Sequence, residues 1–163
     1  MGTMTRHEGP DFKRISQIMK DLGNASVKTG WFANSAYPDK NGTRVALVAS
    51  AQENGVPSLG IPARPFMGPT ALRENENWQQ LLFTRVERVL DGSLTTRQAL
   101  QQFALRVEAD ISKSIDLVES PELAESTVKA RARKRRQTVE QVSKKPLIDS
   151  GLMQSTIQSE VTP

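Results

Sequence analysis

The sequence contains no cysteine and a single histidine, His7. The first absence excludes disulfides and thiol chemistry, and the two together exclude a zinc centre built from the usual His and Cys ligands. A reducing compartment suits such a chain. Aromatic residues make up 5% and hydrophobic residues 37% of the 163 positions, below a typical globular average, so a lean core with polar appendages is expected. No stretch of 18 apolar residues occurs, and the opening "MGTMTRHEGP" has no apolar segment of the secretory kind, so neither a membrane span nor a signal peptide is expected. The length supports one domain over residues 1–163, soluble and cytoplasmic at synthesis, with residues 1–9 as a disordered tail.

What is present is unevenly distributed. The net charge of +4 comes from one place, because six basic residues lie between Lys129 and Arg136. Without them sixteen basic residues face eighteen acidic ones, a balance of −2. The basicity therefore belongs to a segment, which argues against a whole surface built for nucleic acid.

Periodicity assigns the elements. Phe12, Ile15, Ile18, Met19 and Leu22 follow Pro10 at helical spacing, and Gly23-Asn24 stops the helix. Val27, Thr29 and Trp31 alternate, which predicts a strand over Ala25 to Ala33. Residues 45–54 fit strand and helix periods in part; Gln52, Glu53 and the alanines favour a helix that ends at Gly55. A long helix follows over Thr70 to Leu90, and a second starts at Thr95, whose spacing to Gln98 matches a capping box. Their tight connection predicts antiparallel packing. Residues 129–145 offer too little apolar surface to offset the entropy of ordering and are expected to be a mobile basic arm, whereas 146–161 should form a helical turn and a strand. The expected fold class is α+β: a small antiparallel sheet flanked by two long helices plus an N-terminal helix.

The catalytic inventory is poor. Ser126 and Lys129 match Ser-x-x-Lys without its companion motifs, and Glu108 and Asp110 read as a solvated helix face. No enzyme activity, metal or cofactor is expected. The run "KARARKRR" carries Lys129, Arg131, Arg133, Lys134, Arg135 and Arg136; it could neutralise phosphates, but no aromatic residue interrupts it to stack bases. An acidic protein neighbour is the competing partner.

The stretch "GIPARPFMGPT", Gly60 to Thr70, is stiff and extended, because Pro62, Pro65 and Pro69 fix φ and bias the residues before them. A bidentate pair between Glu53 and Arg64 would clasp this loop to the preceding helix, with Phe66 and Met67 entering the core.

Three islands carry a likeness. "VALVASAQENGVPSLGIPARPFMGPTA", "LAESTVKA" and "KPLIDSGLMQSTIQSEV" together resemble the neck and tail-completion proteins of tailed bacteriophages. In that group a helix ending Glu-x-Gly leads to Pro-x-Arg-Pro-Phe, and a Pro-Leu-Ile-Asp-Thr-Gly element follows near the C-terminus. Here Asn54 replaces the usual apolar residue before the glycine, Ser150 stands for the threonine, and the basic run is longer. The resemblance implies a virion structural protein at the head-tail junction, present in the host cytoplasm during assembly. It implies a ring of six or twelve subunits between a portal, adaptor or head-completion protein and a tail terminator or tail tube. The clasp and subunit-contact candidates are Glu53, Pro62, Arg64, Pro65 and Phe66, and the C-terminal motif consists of Pro146, Leu147, Asp149, Ser150, Gly151 and Leu152. The alternative is a DNA-binding or packaging accessory that meets genomic DNA through residues 129–136. No membrane partner is implied.

Overall fold

Helix α1, Pro10–Asn24, leads through Ala25 into strand β1, Ser26–Gly30, as the alternation of Val27 and Thr29 requires. The computed structural model describes residues 10–39 and 41–162; the expected N-terminal tail and His7 lie outside them. β1 pairs with the last strand, β2, Gln158–Thr162, in a two-stranded antiparallel sheet. The register sets Val27 opposite Val161 and Thr29 opposite Ser159, and the two hydroxyls of the latter pair are 2.7 Å apart. These residues are half-buried, whereas Lys28 and its cross-strand neighbour Glu160 point to water. The result is a thin sheet with one inner face, packed against a long helix.

Between the strands run α2 (Val45–Asn54), a 3-10 turn (Pro57–Leu59), α3 (Met67–Leu90), α4 (Thr96–Leu117), α5 (Glu125–Arg135) and the short α6 (Leu152–Ser155). The Thr95 and Gln98 capping box forms as expected, each residue satisfying an orphan amide at the start of α4. α3 and α4 are antiparallel neighbours: Ser114, near the end of α4, donates to the Phe66 carbonyl at the start of α3, and Trp78 meets Asp110 further along. α4 also packs on both strands. It buries Leu100, Ala104, Val107, Ile111 and Ile115 at spacings of three and four, so one helix face serves α3, the sheet and the core together.

The core gathers Val45 and Ala49 of α2, Phe66, the inner face of α4, Leu147 and Met153. Phe66 is fully buried and meets Trp31 edge to face, with centroids 5.7 Å apart. Trp31 in turn donates its indole N–H to the Met153 carbonyl at 2.7 Å, which ties the C-terminal segment to the chain after β1.

Two expectations need correction. Residues 129–145 are not an unstructured arm: α5 covers residues up to Arg135, and the chain then folds back so that Val142 joins Val128 and Ala132 in a second small cluster flanked by Leu123 and Val139. Few apolar residues suffice because Val128 and Ala132 share one face four residues apart, and the segment is also bonded through its backbone. Asp110 is likewise no solvated residue. It is 8% exposed and accepts from Trp78 Nε1 at 2.8 Å and from Arg106 Nε at 2.9 Å. Glu108 beside it is half-buried.

Candidate functional site

The loop between α2 and α3 is held by its own backbone before any long side chain acts. Gly55, just past α2, has φ 72° and ψ 165°, a conformation open essentially to glycine. A Cβ there would lie 2.7 Å from Ala63 N, so the returning strand of the loop passes directly over it. Val56 and Ile61 bridge the loop, and Arg64 N donates to Gln52 O at 2.6 Å. Pro62 and Pro65 stay exposed on its outer side.

Glu53 and Arg64 do not form the expected clasp. The Glu53 carboxylate accepts from the amides of Phe66 (2.7 Å), Met67 (2.9 Å) and Gly68 (2.9 Å), the otherwise uncapped start of α3. A carboxylate is well placed there because three parallel N–H groups and the positive end of a 24-residue helix converge on it. Arg64 turns the other way. Its Nε donates to Pro121 O at 2.7 Å, Nη2 to Glu122 O at 3.0 Å and Nη1 to Gln52 Oε1 at 3.2 Å. The arginine is 5% exposed, and this burial lowers its pKa while leaving it a cation. The two residues therefore pin the same loop to different places: Glu53 to α3, Arg64 to the linker between α4 and α5.

A second arginine organises the C-terminal motif. Arg131, projecting from α5, donates through Nη1 to the carbonyls of Ser143 (3.0 Å), Lys145 (2.9 Å) and Ile148 (2.9 Å), and through Nη2 to Pro146 (3.1 Å). It closes a turn whose Pro146 and Leu147 are buried. Asp149 collects the remaining charge, with Arg135 Nη2 at 2.9 Å, Arg131 Nε at 3.8 Å and Lys134 Nζ at 4.0 Å. Arg135 also donates to the Asp149 carbonyl. Burial lowers the Arg131 pKa, and the nearby Asp149 carboxylate opposes that shift. Ser150 Oγ accepts from Leu152 N at 3.3 Å, Gly151 adopts φ 75°, and Leu152 begins α6.

The basic run thus divides. Arg131 and Arg135 are structural, Lys129 pairs with Glu125 at 2.7 Å, and Lys134 lies at the edge of Asp149. Arg133 and Arg136 point to water without an acidic partner among the described residues. Among those residues no group of three or more His, Cys, Asp or Glu could hold a metal ion, and no helix is long and apolar enough to cross a membrane.

The chain matches no family model, no curated protein and no solved structure. What the fold brings together is therefore read from the geometry itself. Three segments distant in sequence, 52–66, 121–131 and 143–152, meet at Arg64 and Arg131. Residue types alone pointed to Glu53 and Arg64 as important but could not identify their partners: three backbone amides donate to Glu53, and two backbone carbonyls and the Gln52 side chain accept from Arg64. The role of Arg131 was missed entirely, since nothing in a basic run distinguishes the one cation whose helical phase turns it inward.

Proposed function

We propose that this chain is a structural protein of a tailed-bacteriophage particle, acting as a ring-forming subunit at the head-tail junction. One structural observation supports self-association. The sheet has two strands, and beyond their mutual pairing neither takes part in a backbone hydrogen bond with any other described segment. Two-stranded sheets are marginal alone, and open edges are usually blunted or paired. One molecule thus offers two strand edges, and edge-to-edge pairing of unlike edges is a heterologous contact that closes into a ring when the rotation closes.

The side chains agree with an incomplete surface. Phe12, Ile15 and Met19 lie along one stripe of α1 and are 50%, 43% and 59% exposed, an apolar stripe that a neighbouring subunit would cover. The function itself rests on the likeness of the three islands, which the fold gathers into one junction: the Pro-x-Arg-Pro-Phe arginine and the C-terminal Pro-Leu-Ile-Asp turn are both bonded to the α4–α5 linker or α5. A proline-stiffened loop suits a subunit that must present one shape to its neighbours, because little entropy is lost when it docks.

The DNA-accessory reading is the weaker of the two, since most of the basic run is engaged within the fold. Native mass spectrometry of the purified protein tests the ring. Multiples of the 18.0 kDa chain at six or twelve copies are expected, with density for the protein at the neck of intact particles. A strictly monomeric species that is also missing from particles refutes the proposal.

A further inference from the structure

Arg64 has no counter-ion among the described residues. It is 5% exposed, yet its acceptors are three neutral oxygens, Pro121 O, Glu122 O and Gln52 Oε1. A guanidinium has five N–H groups and three are engaged here, so one N–H on each terminal nitrogen has no acceptor among the described residues. The neighbouring carboxylates are committed elsewhere: Glu53 caps α3, and Asp149 pairs with Arg135. Burying a cation against neutral partners alone is unfavourable, and the deficit is met when an anion shares the site.

A cavity is present where that anion would sit. Its volume is about 490 Å³, and Arg64, Arg131, Ile61, Pro62, Glu122 and Thr127 line it. Arg131 brings a second positive charge to the same space, and the two guanidinium groups repel each other. The first turn of α5 borders it too, with no side chain capping its amides.

We propose that this cavity is a carboxylate-binding site, taking an acidic side chain of a protein partner between Arg64 and Arg131. The paired N–H groups of a guanidinium match the two oxygens of a planar carboxylate, and the volume admits the aliphatic stem that carries it. Glu122 is the internal rival. Its own carbonyl is bonded to Arg64, but its carboxylate is exposed and makes no bond to the guanidinium. The site does not depend on ring formation.

The test uses the full chain labelled with nitrogen-15 and titrated with sodium acetate, against sodium chloride at equal ionic strength and, separately, inorganic phosphate. A saturable shift of the Arg64 Nε–H resonance in acetate, with none in chloride, is expected. Thr127→Glu, which supplies a tethered carboxylate to the cavity, should weaken the acetate response at least tenfold, whereas the neutral Thr127→Gln should retain it. Glu122→Gln should keep the wild-type melting temperature and bind acetate several-fold more tightly. No saturable shift, a response to phosphate but not acetate, or an unaltered response in Thr127→Glu would each overturn the proposal. So would an acetate response seen only in Glu122→Gln, because Glu122 would then already be the counter-ion.

Discussion

Replacing Glu53 with Gln isolates the contact on which the proline loop most depends. The carboxylate receives three backbone N–H groups at 2.7–2.9 Å. Those of Phe66 and Met67 are partly shielded from water, whereas that of Gly68 is exposed and can be hydrated. Phe66 and Met67 share Oε2 and Gly68 takes Oε1, so a glutamine oxygen at the Oε2 position keeps both shielded amides and its NH₂ displaces only the Gly68 bond, a loss of about 0.5–1.5 kcal/mol. Loss of the charge at the start of α3 adds about 0.3–1 kcal/mol. The expected destabilisation is roughly 1–2.5 kcal/mol, which for a chain of this length lowers Tm by roughly 2–10 °C. Thermal and urea unfolding followed by circular dichroism give the magnitude, and hydrogen exchange gives the location. Protection should fall first at residues 66–70 and then along the first turns of α3. A Gln variant within about 0.5 kcal/mol of wild type, or one destabilised with unchanged protection at 66–68, would refute the reasoning.

Gly55→Ala should be at least as damaging, roughly 3 kcal/mol, because it combines a glycine-only backbone conformation with a Cβ 2.7 Å from Ala63 N; a normal urea midpoint would show that the loop can move aside. The basic run should split by position. Arg131→Gln removes donors to four carbonyls and is expected to cost about 3 kcal/mol with accelerated exchange over 143–148, whereas Arg133→Gln and Arg136→Gln should fall within about 0.5 kcal/mol of wild type. Equal effects at all three would contradict the division drawn above. Asp39 provides a pH test. Bonds from Thr43, and then from the Asn41 and Gly42 amides, hold its carboxyl below the ordinary 3.8. A lowered folded value means that its contribution to the 39–43 turn is complete above 3.8 and disappears as pH falls through the lower value. The Asn41 and Thr43 amide resonances should therefore stay constant from neutrality to about pH 5 and move only in stronger acid, whereas titration above that point would count against the turn.

Local chemistry was legible in the chain. Helix boundaries at Pro10, Gly55 and Thr95, the antiparallel pair α3 and α4, and the strand near Val27 all follow from periodicity, proline and glycine positions and one capping box, because these signals act over a few residues. The burial of Phe66 was readable for the same reason: a large apolar residue at the end of a stiff loop has few places to go. Tertiary structure alone decided the partners of the charged residues. A carboxylate eleven positions before a guanidinium suggests an ion pair, yet three converging amides at the start of α3 took Glu53, and two linker carbonyls, 57 and 58 positions away, turned Arg64 in another direction. The basic run failed as a mobile arm because its composition is polar on average, while a few apolar residues and one inward-turned arginine are enough to seat it. Composition averages over faces, and only the folded chain shows which face is inside.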